Sequence, residues 1–169
     1  LAGGYRALYE LTDVEEDNAG IQVLGDVNVT ADNTVPQDNS NINPEDYVNT
    51  GIEFIDVLPI NGYTSEKDQS DIELASSANF SWNLPTDYIK STKDFWATSS
   101  HHITVGGTIT PTGKILRVGI IEPDGIRRCI YATGNFSYNF PLDKTGFYSV
   151  YAINDNSEVV NLSGGYNTY

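Results

Sequence analysis

The sequence has no methionine, a single cysteine, and only nine lysine and arginine residues against 23 aspartates and glutamates. Without methionine, we expect the chain to begin after a processed or trimmed N-terminus. One cysteine excludes an internal disulfide. No apolar run approaches the ~18–20 residues of a membrane-spanning helix, so we expect no membrane insertion. The net charge of −14 disfavours nucleic acid as a partner, because phosphates would be repelled.

Positive charge is scarce mainly in the first half of the chain. Residues 1–75 carry sixteen acids against Arg6 and Lys67, which accounts for the whole net charge, whereas residues 76–169 carry seven acids and seven bases. Such asymmetry suggests two parts with different roles. We expect an acidic, partly irregular region over residues 1–73 before a folded domain over residues 74–169. Within the acidic region the pattern predicts a short helix over residues 5–17, strands over residues 21–29 and 51–60, and loops over residues 30–50 and 61–73. Whether the acidic region adds strands to that domain or forms a separate lobe is left open.

The composition is typical of an exported protein. Lysine is rare, Asn, Thr, Ser and Tyr are abundant, and hydrophobic residues make up 39% of the chain. The pI is near 4.2. We therefore expect a secreted or cell-surface location, with carbohydrate or protein as the partner.

From residue 74 onward, short strand-like runs alternate with turns. Turn sequences such as Pro111-Thr112-Gly113 combine the fixed φ of proline with a glycine that accepts a positive φ. Short strands, frequent turns and no convincing helix predict an all-β, antiparallel β-sandwich, either jelly-roll or immunoglobulin-like. The strand-like runs are residues 78–84, 94–98, 101–110, 114–122, 126–132, 135–142, 146–153 and 158–163.

Alternation within these runs predicts part of the core. Phe80, Trp82 and Leu84 occupy every second position and therefore share one face of a strand. Cys129 lies inside a strand-like run, where a free cysteine usually packs as a small apolar side chain. We expect all four residues to be buried.

Three segments of the second half resemble bacterial pre-peptidase C-terminal domains. Residues 115–125 (ILRVGIIEPDG) resemble the strand that ends in a D-P-x-G turn, residues 136–151 (FSYNFPLDKTGFYSVY) the element F-x-F followed by G-x-Y-x-V, and residues 158–164 (EVVNLSG) the closing strand. The resemblance spans about residues 101–166. It implies a jelly-roll-like sandwich that serves an exported bacterial protein as an accessory module. Arg117 and Gly119 replace the family's early acidic cluster, so the resemblance does not imply a calcium site there.

Oxygen-bearing side chains alternate along the string DVNVTAD (residues 26–32). Such spacing suits a hard cation, and the string resembles the start of an EF-hand loop. Ala31 and Gln37, however, replace the turn glycine and the bidentate acid. The candidate ligands of a looser calcium site are Asp26, Asn28, Asp32 and Asp38. A solvated strand and loop is the alternative, and no other cofactor is expected.

Aromatic side chains are the candidate ligand contacts, because sugar rings stack on exposed Trp and Tyr. Trp96 follows Phe95, and adjacent residues of a strand face opposite ways, so one of the two must face outward. We select Trp96 and Tyr88 as candidates, with core packing as the alternative for both.

Motifs of catalysis are missing from the sequence. The two histidines, His101 and His102, are adjacent and would point to opposite faces of a strand, and no HExxH, GxSxG or phosphate-binding loop occurs. We predict a non-enzymatic accessory or cell-surface module for ligand binding or adhesion. Two alternatives stay open: a carbohydrate- or cell-wall-binding module that uses exposed aromatics, and an acidic pro-region or inhibitor-like module that covers a basic partner.

Overall fold

A computed structural model describes residues 37–69 and 77–169 of the chain. These residues form two β-sheets that pack face to face, and the predicted all-β sandwich is confirmed. The helix expected over residues 5–17 and the strands expected over residues 21–29 lie outside the described residues. In the part of the chain that is described, no helix is both long and apolar enough to span a bilayer.

The described ranges hold twelve strands and a short 3-10 helix at Pro44–Asp46. The strands are β1 (Gln37–Asp38), β2 (Phe54–Ile55), β3 (Thr64–Lys67), β4 (Ser77–Leu84), β5 (Tyr88–Ser91), β6 (Phe95–Ala97), β7 (His102–Thr110), β8 (Leu116–Ile121), β9 (Arg127–Ala132), β10 (Asn135–Pro141), β11 (Gly146–Asn154) and β12 (Val160–Thr168).

The larger sheet has the strand order β1-β2-β9-β8-β11-β5-β3, and β6 pairs with the first residues of β11. The smaller sheet has the order β10-β7-β12-β4 and is antiparallel throughout. Two parallel pairs, β1 with β2 and β3 with β5, lie at the two edges of the larger sheet. These four strands are short, so parallel pairing contributes little to the sandwich.

The main core lies between the two sheets. Phe80, Trp82 and Leu84 of β4 are buried, as their alternation predicts, and Phe80 stacks on Trp82 with ring centroids 4.2 Å apart. From the larger sheet, β8 contributes Leu116, Val118 and Ile120, all fully buried. Each such side chain stabilises the fold by about 1.5–3 kcal/mol relative to exposure.

A second core lies on the outer face of the larger sheet. Residues 39–63, here called the strap, cover that face and bury Phe54 and Cys129 completely. Cys129 is therefore a core residue, as predicted, although it faces the strap and not the smaller sheet. Whether the acidic region adds strands to the sandwich is answered for residues 37–69, because they contribute three strands to the larger sheet. The domain boundary near residue 73 stays a prediction.

Three strands, β1, β3 and β5, were not expected from the sequence. The two-residue β1 lies within residues 30–50, which are expected to be loop. Residues 61–73 are expected to be loop but contain β3, a wholly exposed Thr-Ser-Glu-Lys strand whose extended form depends on pairing with β5. The strand β5 itself has only four residues and follows the turn at Pro85–Asp87. The final residues, which suit either a tail or a strand, continue β12 as far as Thr168.

Gly119 of β8 lies where β8 and β9 approach most closely. A Cβ atom there would lie 1.8 Å from the carbonyl oxygen of Arg128, so the two strands must separate to admit a side chain. We expect Gly119→Ala to lower the free energy of unfolding by about 1–3 kcal/mol, the range for overpacking, in urea denaturation. The control is Ser137→Ala at an exposed position of β10, with an expected change below about 0.5 kcal/mol. Equal stability of the two variants would contradict this account.

Candidate functional site

A buried ionic cluster joins the strap to the larger sheet. The Arg117 side chain is only 1% exposed, and its Nη1 donates to Oδ1 of Asp56 at 2.7 Å. Its Nε and Nη2 donate to the two carboxylate oxygens of Asp155 at 2.8 and 3.0 Å. Burial by itself would lower the pKa of Arg117, but the hydrogen bonds and charges of Asp155 and Asp56 raise it. The guanidinium therefore stays charged and fixed.

Asp56 of the strap is saturated with hydrogen bonds. Tyr151 donates its hydroxyl to Oδ2 at 2.8 Å, and Asn39 donates its amide to Oδ1 at 3.1 Å. The side-chain oxygen of Asn39 in turn accepts the backbone N–H of Val57 at 3.0 Å. Both oxygens thus accept hydrogen bonds from buried partners, so this carboxylate is enclosed by the fold.

A second ionic cluster lies on the neighbouring strand β9. Arg128 donates to Glu53 of the strap at 2.6 Å and to Glu122 at 3.3 Å. Glu122 also pairs with Lys144 at 2.9 Å. Acids of the first half thus neutralise arginines of the second half within one chain. Part of the charge asymmetry seen in the sequence is therefore internal.

The Cys129 thiol lies beneath the strap, close to the first cluster. Burial, and secondarily the nearby charge of Asp56, raises the pKa of this thiol. A protonated and fully buried sulfur is a poor nucleophile, because reactivity belongs to the exposed thiolate. Cys129 is therefore a packing residue.

An exposed pair of aromatic side chains lies on the larger sheet. Trp96 of β6 and Phe147 of β11 are direct cross-strand neighbours. They are 54% and 59% exposed, and their ring centroids are 5.1 Å apart with planes at 82°. Phe95 turns inward instead and stacks on Tyr166, which leaves Trp96 to face outward. This pair, here called the aromatic pair, is the candidate binding site.

The structure does not bring the two ligand candidates of the sequence together. Tyr88 is half-buried, pairs with Asn154, and hydrogen-bonds through its hydroxyl to Glu66. Trp96 pairs with Phe147, seven residues away along β11, or roughly 23 Å at the rise of a strand. Phe147 was missed by the sequence reasoning. The signal was available, because Phe147 and Tyr148 are adjacent in a strand and only one can face the core.

The calcium hypothesis stays a prediction. Asp38 is exposed in β1, where its Oδ1 accepts the backbone N–H of Ser40 at 2.6 Å. The other three candidates, Asp26, Asn28 and Asp32, lie outside the described residues. Within residues 37–69 and 77–169, no group of three or more His, Cys, Asp or Glu side chains is placed to hold a metal ion.

Comparisons with known proteins find similarity in fold only. No protein-family model matches the sequence, and no curated protein matches it. Among solved structures, a periplasmic inhibitor of g-type lysozyme from Aeromonas hydrophila is 14% identical, with 63% of this chain and 97% of that chain covered and a TM-score of 0.45. The pre-peptidase C-terminal domain of a Bacillus anthracis collagenase is 13% identical, with 64% and 98% covered and a TM-score of 0.42.

A third similar structure is a carbohydrate-binding module, CBM36, solved with calcium and xylotriose. It is 13% identical, with 60% of this chain and 94% of that chain covered and a TM-score of 0.37. Since a pre-peptidase C-terminal domain is among the matched structures, the resemblance seen in the sequence is confirmed as a likeness of fold. What these proteins bind is not carried over to this chain by that likeness.

Removal of Asp56 should destabilise the fold strongly. Asp56→Ala leaves the buried Arg117 without one of its two carboxylates, so we expect the free energy of unfolding to fall by about 3–5 kcal/mol in urea denaturation. The double variant Asp56→Ala with Arg117→Met removes the uncompensated charge as well, and we expect it to lose less than the single variant. A double variant that is less stable than Asp56→Ala would contradict the electrostatic explanation.

The Cys129 thiol should be protected in the folded protein. We expect no reaction with Ellman's reagent at neutral pH in native buffer, and complete reaction of the one thiol after unfolding in guanidinium chloride, because burial keeps the sulfur protonated and inaccessible. The absorbance of the released aromatic thiolate measures the extent of reaction in the native and in the unfolded protein. Rapid modification of the native protein would mean that the strap opens readily.

Proposed function

We propose that this chain is a non-enzymatic binding module of an exported protein, and that it docks on a partner protein through the aromatic pair. The observation that carries the proposal is the exposure of two large rings, side by side, on strands of a rigid sheet. Exposed apolar groups on such a rigid surface favour an interaction site. Tryptophan is also enriched among residues that dominate protein interfaces.

The angle between the rings favours a protein over a sugar at this site. Sugar rings bind by lying flat on an aromatic face, and a binding platform of two rings needs them nearly coplanar. Trp96 and Phe147 are 82° apart, so only one of them could stack on a given sugar ring. A T-shaped pair instead forms a compact ridge, which fits a hydrophobic pocket.

The state of the titratable groups supports a role without catalysis. Arg117, Asp56 and Arg128 are buried and engaged in ion pairs that hold the strap in place. Cys129 is protonated beneath the strap. These groups are used by the fold, whereas the exposed aromatic pair carries no acid–base chemistry at all.

The charge of the chain indicates what surrounds the partner's pocket. With a net charge of −14, the chain attracts basic surfaces, and such steering raises association rates at low ionic strength. The expected partner therefore presents an apolar pocket with a basic rim. Its association should slow as salt is added, while the hydrophobic contact itself persists.

The test is a partner screen with matched variants. The wild-type chain, carrying a photo-crosslinker on a surface lysine, is exposed to the extracellular proteins of its source organism, and the captured protein is then purified and titrated by calorimetry. We expect Trp96→Ala with Phe147→Ala to weaken that binding by about 30-fold or more, since interface hot spots contribute at least ~2 kcal/mol. Thermal melts establish that the variant is folded.

The matched control removes two other exposed apolar side chains. Ile126 and Val159 are 40% and 46% exposed but lie outside the aromatic pair, so Ile126→Ala with Val159→Ala should bind like the wild type. Equal binding by the aromatic double variant would overturn the proposed docking site. Binding of a neutral sugar that depends on Trp96 alone would favour the carbohydrate alternative instead.

A further inference from the structure

The outward face of the smaller sheet is free of charged residues. Side chains at alternate positions of β4, β7, β10 and β12 point away from the core, and they are Asn, Ser, Thr and Gly, with His102 and Pro141 at one end. None of them is Asp, Glu, Lys or Arg, although charged residues make up 19% of the chain. We call this surface the neutral face.

A shallow depression, wide open to solvent, lies near the centre of the neutral face. Its floor forms where Gly106 of β7 is paired with Gly165 of β12, and Asn79, Ser81 and Ser163 line it. A Cβ atom on Gly165 would lie 2.6 Å from the carbonyl oxygen of Ala78 and 2.8 Å from Oδ1 of Asn79, so the close approach of β4 and β12 requires glycine there. Within the described residues, these three polar side chains have no protein hydrogen-bond partner and are open to a ligand.

One end of the neutral face carries a pair of stacked rings. His102 and Tyr169 exchange backbone hydrogen bonds of 2.9 and 3.1 Å, and their rings are nearly parallel, 20° apart with centroids separated by 5.8 Å. Tyr169 is 58% exposed, and its hydroxyl lies 3.2 Å from the Thr104 hydroxyl. Four residues of β7 separate this end from Gly106, which is roughly 13 Å along the strand.

We propose that the neutral face binds an uncharged oligosaccharide that stacks on Tyr169 and extends into the depression. Each sugar hydroxyl donates and accepts hydrogen bonds, and the Asn amides and Ser hydroxyls of the depression do the same. The C–H groups of a sugar ring pack well against an aromatic face such as that of Tyr169. The depression and the exposed ring are two independent features that select the same ligand class.

Other classes of ligand fit this face poorly. Nucleic acid and acidic polymers need Lys or Arg, and the outward positions of these four strands contain neither. The centres of protein interfaces are enriched in aromatic residues, Met and Arg and depleted in Ser, which is the opposite of the composition around the depression. The neutral face and the aromatic pair lie on different sheets. The two proposed binding sites can therefore be tested independently.

The test is affinity electrophoresis of the whole chain in native gels. The gels contain soluble neutral polysaccharides, namely β-glucan, xylan, mannan and starch, and alginate serves as the acidic contrast. We expect at least one neutral polysaccharide to retard the chain and alginate to have no effect. Tyr169→Ala should weaken binding by about two- to tenfold, from the usual contribution of a stacked aromatic ring.

A second variant tests the depression itself. Ser163→Arg places a long charged side chain in it and should abolish retardation, whereas Thr110→Arg, an exposed position of β7 outside the depression, should not. Trp96→Ala should migrate like the wild type, which separates this site from the aromatic pair. Thermal melts confirm that each variant is folded.

Three results would overturn the proposal. One is the absence of retardation by every neutral polysaccharide. Another is retardation that both Tyr169→Ala and Ser163→Arg leave unchanged. The third is a wild-type dimer in size-exclusion chromatography that Ser163→Arg dissociates, because a second copy of the chain would then occupy the neutral face.

Discussion

The buried ion pair between Asp56 and Arg117 determines how the rest of the molecule is arranged. Arg117 lies in the middle of the larger sheet, and its side chain points away from the sandwich core. Because the side chain is only 1% exposed, its charge requires a carboxylate partner, and other side chains must shield it from water. An uncompensated guanidinium in an apolar layer would cost several kcal/mol. The strap supplies Asp56 as the partner, and the Tyr63 ring, whose centroid is 6.0 Å from the guanidinium carbon, as part of the cover. Through β2 the strap also pairs with β9, so it both joins the larger sheet and covers part of its outer face.

That arrangement makes the two outer surfaces chemically different. On the larger sheet, the strap buries Tyr151 and Ile153 of β11 but leaves Phe147, at the start of the same strand, exposed beside Trp96. The smaller sheet has no such cover within the described residues, and its outward side chains are short, polar and uncharged. One surface thus offers apolar contact and the other offers hydrogen bonds.

Sequence reasoning recovered the features that depend on local alternation. Phe80, Trp82 and Leu84 share a face because side chains of a strand repeat every second residue. For Trp96 the sequence indicated only that either it or Phe95 faces outward, and in the structure Trp96 is the exposed one. The strand β3 could not be found by this means, because Thr-Ser-Glu-Lys has no apolar alternation and is extended only through its pairing with β5. Phe147 could have been found, since it adjoins Tyr148 in a strand.

Interactions between distant residues account for what the sequence did not reveal. Arginine is usually a surface residue, and nothing near Arg117 in the sequence indicates that it is buried against Asp56, 61 residues earlier. The acidic excess of the first half left open whether that region adds to the folded domain or forms a separate lobe. Glu53 and Asp56 of that region form ion pairs with arginines of the second half.

This use of charge ties the strap to the second half of the chain. Residues 76–169 balance in acids and bases when simply counted, yet Arg117 and Arg128 are buried against carboxylates that the strap provides. Without the strap, each arginine would keep one close carboxylate, Asp155 or Glu122, and lose the other. The outer faces of Phe54's neighbours Cys129 and Tyr131 would also become exposed to water. Electrostatics and hydrophobic burial therefore both hold the strap against the larger sheet. Residues 76–169 contain equal numbers of acids and bases, but in the structure two of their arginines pair with carboxylates that lie outside that range.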